Sequence, residues 1–175
     1  PRGTGHDIGG EVVDVGAKVP AEYALGERVV VMPYTRCGVC SSCLKGRLNA
    51  CKSNRTLGVQ QEGGLAEFIA LPYGKLILND TLAPHHLALV EPLSVGFHAA
   101  ARGKVGPGDK VVVIGCGMIG MGAVAGAAHF GAEVIALDTS DEKTSLALEF
   151  GASHALNEGD ADVQEQVLAL TGGHG

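Results

Sequence analysis

The chain has 175 residues, 46% of them hydrophobic, enough for one domain or a little more around a buried core. A net charge of −6 argues against a phosphate-backbone partner, because nucleic-acid binders present a basic face. The chain opens at Pro1 without a methionine and ends on Thr-Gly-Gly-His-Gly, and it reads as a piece of a longer protein.

Residues 1–31 alternate short β-like runs with glycine turns, Gly10 to Gly16 and then Glu27 to Val31, and predict a small β-barrel-like module with nothing helical. Ahead of the first run stands Gly5-His6-Asp7. A lone His-Asp pair is ordinarily a capped turn or a surface hydrogen bond.

Cys37, Cys40, Cys43 and Cys51 follow with the spacing C-x2-C-x2-C-x7-C, the most specific local signal in the chain. Four thiolates in one loop can wrap tetrahedrally around Zn²⁺, and four protein ligands make a closed, structural site. A disulfide framework is the main rival and would imply secretion, which the acidic chain with its glycine-rich run Gly115-x-Gly117-x-x-Gly120 further on does not suit. An iron–sulfur cluster and a nucleic-acid-binding zinc ribbon are the remaining alternatives, the second opposed by the charge.

The middle mostly connects. Leu57 to Glu62 is a candidate for reaching a substrate cleft, Leu76 to Leu78 reads as a short strand, and Pro84 to Arg102 as two helical pieces broken near Pro92. Glu91, just before that proline, suits the first turn of a helix on ordinary grounds.

Val111 to Ile114 is a continuous apolar run, as expected for a strand buried on both faces of a parallel sheet. Gly115-x-Gly117-x-x-Gly120 follows at once. In a dinucleotide site the first glycine permits a sharp turn, the second lets backbone approach a pyrophosphate, and the third lets the helix lie close on the strand. The helix start then offers free N–H groups to the phosphates. Cys116, inside the turn, reads as a small core residue. A second apolar strand, Glu133 to Asp138, ends in a carboxylate roughly 20 residues on, where such a group accepts both hydroxyls of an adenosine ribose and repels the 2′-phosphate of NADP. Thr139 and Glu142 predict a capping box for a helix ending before Gly151. A third strand lies near 154–156, and Val163, Val167 and Leu170 form the apolar stripe of a last helix. The uncharged stretch Val111 to Ala128 is too crowded with glycine and other small residues, and too closely followed by His129 and Glu133, to read as a membrane span.

Taken in order, Gly5-His6-Asp7 with GGEVVDVG, ERVVV ahead of the cysteines, GGLAEFIALP, EPLSVGFHAA and the glycine turn resemble the zinc-dependent medium-chain dehydrogenases, the alcohol, sorbitol and threonine dehydrogenase superfamily. The resemblance implies an α/β chain: a partial GroES-like, β-rich catalytic domain over 1–90 with a zinc lobe at 34–55, followed over 91–175 by connecting helices and the first half of a Rossmann doubly wound parallel sheet. By that resemblance His6 matches a catalytic zinc ligand, and Asp7 replaces the family's glutamate by a carboxylate one methylene shorter. Glu91 matches a third metal position, cysteine in liver-type alcohol dehydrogenases and glutamate in sorbitol and threonine relatives, which moves the substrate towards polyols, sugars or sugar acids. Gly115, Gly117, Met118, Ile119, Gly120, Asp138 and Lys143 are the implied NAD contacts, and His98 is expected to be packed against the domain junction rather than to be a ligand.

The implied reaction is oxidation of a secondary alcohol, with zinc as Lewis acid and hydride transfer to NAD. The family's remaining cysteine ligand, its proton relay and the second Rossmann half have no counterpart in these residues, so the parent protein is expected to be the enzyme and this piece alone inactive. Also implied are a small-molecule alcohol partner, no nucleic acid, no membrane, a cytoplasmic location and a homo-oligomeric parent, dimer or tetramer. A zinc-free quinone or enoyl reductase of the same superfamily would lack the cysteine lobe and Glu91. A non-catalytic zinc- and nucleotide-binding module is the other rival.

Overall fold

Arg28–Val31 carries the run Arg-Val-Val-Val, and three consecutive buried valines mark a strand covered on both faces. In the computed structural model, which describes residues 3–174, the chain divides into two compact units, Pro1–Glu91 and Pro92–Gly175. The first contains β1 (Gly9–Glu11), β2 (Arg28–Val31), β3 (Tyr34–Thr35), α1 (Ser41–Leu44), β4 (Arg55–Thr56), β5 (Leu76–Leu78) and α2 (Pro84–Leu87), with 3-10 turns at Leu48–Ala50 and Tyr73–Lys75.

β2 lies between β1 and β5 in an antiparallel sheet, and β3 pairs antiparallel with β4. The expected barrel-like module is open among the described residues, and its apolar face lines a groove of about 1060 Å³ bordered by Val12, Val29, Val31, Phe68 and Leu71. α2 lies across β1 at Gly9, where any Cβ would collide with the Pro84 carbonyl and the fully buried Leu87.

The strand expected over Gly10 to Gly16 stops early. Val12 still exchanges backbone bonds with Glu27 and Gly26, at 2.9 and 2.8 Å, but Val13 and Val15 are 58% and 42% exposed. The Val15 amide bonds instead to the Asp14 side chain at 2.8 Å, a local alternative to a ladder. The helical break also falls elsewhere. α2 ends before Ala88, and α3 (Val90–Arg102) runs through Pro92, which sits in its first turn and has no N–H to lose there.

The second unit holds most of α3, then β6 (Lys110–Ile114), α4 (Met118–His129), β7 (Glu133–Asp138), α5 (Asp141–Glu149), β8 (His154–Asn157) and α6 (Val163–Leu170). The sheet is parallel in the order β6-β7-β8. β7 is central and buried throughout from Val134 to Asp138, over a core of Met121, Val124, Ala127 and Ala147. β6 was expected to be buried on both faces, but it is the edge strand of this sheet, and Ile114 is 70% exposed.

α3 packs on α4 backbone to backbone: a Cβ at Gly96 would strike Ile119 and Ala123, one at Gly122 the Leu93 carbonyl, and one at Gly126 Phe97. The cap of α5 is Ser140, not Thr139, its hydroxyl accepting from Lys143 N at 3.4 Å. Thr139 lies in the bend between β7 and α5, where the Asp138 carboxylate accepts the Ser140 N–H at 3.0 Å. No helix among the described residues is long and apolar enough to cross a membrane.

Candidate metal and cofactor sites

The cysteine lobe is the loop between β3 and β4, closed at its base by their two-residue ladder. α1 starts directly after Cys40 and presents Cys43, while the 3-10 turn at Leu48–Ala50 returns the chain to Cys51. The four sulfurs all lie within 4.8 Å of one another. Cys37 and Cys51 Sγ are 3.6 Å apart, far beyond a disulfide bond and close to the ~3.8 Å expected of sulfurs at about 2.3 Å from a shared tetrahedral ion. Amides of Cys43 and Lys52 directed at Cys40 hold its thiol down to about 6, and the Cys37 amide lowers Cys51 in the same way. Burial pushes Cys43 up to about 11, a penalty a central cation would offset. The donor set fits zinc.

A second cluster joins His6, Asp7 and Glu91, whose ligand atoms also lie within 4.8 Å of one another. His6 Nε2 is 3.6 Å from Asp7 Oδ1. Glu91 enters from the first turn of α3, and its Oε1 accepts a 2.5 Å hydrogen bond from the Tyr34 hydroxyl. That bond and the surrounding negative charge raise the Tyr34 phenol to about 12, so it stays a donor. An imidazole with two carboxylates is a donor set suited to zinc. His98 is exposed on α3 and belongs to neither cluster of candidate ligands.

In the second unit, Gly115 takes the turn at φ +90° and its N–H bonds to Leu137 O at 2.8 Å. Gly120 sits so close to the Gly115 carbonyl that no Cβ fits. Above Gly117 a Cβ would meet nothing within 4 Å, so a ligand can approach that backbone. Gly117 caps α4 without any side chain covering its N-terminal amides, and Met118 and Ile119 are about half exposed beside it. Replacing Gly120 with alanine is expected to cost about 1–3 kcal/mol of stability and to weaken nucleotide binding, read by thermal melts and NAD titration; a variant as stable and as tight as the parent sequence overturns the assigned contact.

Asp138 ends β7 beside this turn. Its Oδ2 accepts the Cys116 N–H at 2.8 Å and its Oδ1 lies 3.8 Å from Lys143 Nζ. The Cys116 amide, followed by that of Ser140, lowers the Asp138 carboxyl below its ordinary value. The stability this contributes is present above the unfolded carboxylate value of about 3.9 and is lost as pH falls through the lower folded value. Each oxygen keeps lone-pair capacity for a hydroxyl donor. Cys116, 2% exposed, is a core residue.

Residues 1–80 match the family described as "Alcohol dehydrogenase GroES-like domain", and residues 119–175 match "Zinc-binding dehydrogenase". L-galactonate-5-dehydrogenase of Escherichia coli (strain K12) is 40% identical over 80% of this chain and 41% of its own length. Sorbitol dehydrogenase of Bacillus subtilis (strain 168) is 36% identical over 98% of this chain and 49% of its own. The chain belongs to the medium-chain zinc-binding dehydrogenase family. It spans about half the length of the curated relatives it matches. A solved structure from Sinorhizobium meliloti 1021, assigned as a zinc-binding dehydrogenase and bound to NADP, superimposes with a TM-score of 0.87 at 34% identity over 94% of this chain and 48% of that one. The family, the four-cysteine cluster and the NADP-bound relative support zinc and a nicotinamide nucleotide as cofactors.

Sequence reading missed Tyr34, because its partner Glu91 lies 57 positions away and no periodicity links them. It also missed Lys75, whose Nζ holds the Tyr34 carbonyl at 3.0 Å and Thr35 Oγ1 at 2.6 Å. Gln61, expected near a substrate cleft, spends its amide on Thr35 Oγ1 and the Arg55 carbonyl, bracing the β3–β4 ladder.

Proposed function

We propose that the whole protein is a zinc-dependent, NAD-linked dehydrogenase that oxidises a secondary alcohol of a polyol, sugar or sugar acid. The observation carrying this reading is the convergence of His6 and Asp7 with a carboxylate, Glu91, as third group. Relatives named for L-galactonate and for sorbitol, a sugar acid and a polyol, support the substrate class. In this reading residues 1–90 form the catalytic domain and 91–175 the start of the cofactor domain.

Cys37, Cys40, Cys43 and Cys51 hold a structural zinc, since four thiolates leave no open position; the catalytic zinc needs three protein ligands and one open position, and His6, Asp7 and Glu91 are its candidate ligands in these residues. When bound, the open-site zinc supplies Lewis-acid polarisation of the substrate oxygen and the nicotinamide accepts hydride. Gly117 and the uncapped amides of α4 receive the pyrophosphate, with Gly115 and Gly120 fixing the turn and Met118 and Ile119 flanking it. Asp138, kept ionised by the Cys116 amide, accepts the ribose hydroxyls and repels a 2′-phosphate, and Lys143 contacts the same ribose.

Replacing Asp138 with alanine is expected to weaken NAD about tenfold and to relax discrimination against NADP, as loss of a charge-assisted hydrogen bond requires. Titration with both nucleotides checks it, and an unchanged NAD to NADP ratio removes Asp138 from the specificity site. The function itself is tested by assaying the whole protein with NAD against a panel of polyols, sugars and sugar acids, before and after a zinc chelator. NADH formation that the chelator abolishes is the expected result. Chelator-resistant reduction of a quinone, with no alcohol oxidised, overturns the reading.

A further inference from the structure

We propose that Tyr34 is a positioning residue for the candidate catalytic metal site, its hydroxyl holding the Glu91 carboxylate in the orientation that meets His6 and Asp7. The inference rests on the reading of Glu91 as a metal ligand. Glu91 is a long, rotatable side chain, and freezing it into one rotamer has an entropic cost. The 2.5 Å bond from Tyr34 supplies a short hydrogen bond to a carboxylate, the stronger kind.

Tyr34 can act as the fixed end because its backbone is clamped. β3 pairs with β4, Lys75 grips the Tyr34 carbonyl at 3.0 Å and Thr35 at 2.6 Å, and Gln61 reaches the same threonine at 3.1 Å. The ring is not a core element, being 45% exposed, so its hydroxyl rather than its packing distinguishes it from phenylalanine here. Partners that orient a metal ligand from the second layer are worth about 10–100-fold in metal affinity.

The test follows zinc retained per chain of the whole protein as free Zn²⁺ is lowered with a chelator buffer, which reports metal and not turnover. Glu91→Ala identifies which release phase belongs to the His6–Asp7–Glu91 cluster, and the four-cysteine phase serves as internal control. Tyr34→Phe is expected to weaken the cluster phase about tenfold or more, to leave the cysteine phase unmoved, and to add nothing in a Glu91→Ala background. A Tyr34→Phe cluster phase equal to the parent overturns the positioning role while leaving Glu91 a ligand. Equal weakening with and without Glu91 also overturns it, by making Tyr34 a general structural residue. A cluster phase indifferent to Glu91→Ala removes the ligand reading and this inference together.

Discussion

Replacing His6 with alanine is expected to lower kcat of the whole protein by roughly 10³-fold while leaving NAD affinity unchanged. The size follows from Lewis-acid stabilisation of several kcal/mol, at about 1.4 kcal/mol per factor of ten. The selectivity follows from location: His6 belongs to the first unit, with Asp7 and Glu91 as its neighbours, whereas the glycine turn and Asp138 belong to the second. Steady-state kinetics beside a fluorescence titration of NAD separate the two effects. Full retained activity sinks the metal assignment, and a parallel loss of NAD affinity would show that the histidine acts on the fold instead.

The second large effect concerns the cysteine lobe. Cys43→Ser is expected to remove one zinc per chain, to lower Tm by roughly 10 °C, and to expose the amides of residues 37–51 to rapid hydrogen exchange. The reason is that this lobe has no other core. Its buried cluster consists of Cys40, Cys43 and Cys51 with Cys37 against them, while Val39 and Leu44 stand 77% and 75% exposed. α1 is a single turn of four residues, too short to hold itself. Metal binding is therefore folding energy for the loop; losing ~3–5 kcal/mol of it, at about 2–4 °C per kcal/mol, gives the expected shift. Unchanged zinc content and Tm would falsify a metal-held lobe.

What was readable in the chain was local. The four cysteines are close in sequence and meet because one loop can only fold back on itself; the apolar run, glycine turn and second strand of the parallel half are likewise contiguous. What was not readable depended on partners. Val13 and Val15 have strand-forming character, yet a strand ends where its neighbour does. Thr139 and Ser140 both qualify as caps, and the choice fell to the Asp138 carboxylate drawing in the Ser140 amide. Pro92 marks a helix start as readily as a break, and only the length of α3 decides which. Tyr34 belongs to the candidate site through one hydrogen bond across 57 positions.

The glycine contact between α3 and α4 has a consequence for how this sequence can vary. Gly96, Gly122 and Gly126 let main chains touch, so no rotamer stands between the helices to absorb a change. A methyl group added at any one of them must push the opposing backbone away, and the first such step spoils the fit for the others. Substitutions there are expected to be strongly epistatic: each single change is harmful, the second costs far less than the first, and the three positions drift through evolution as one character rather than three.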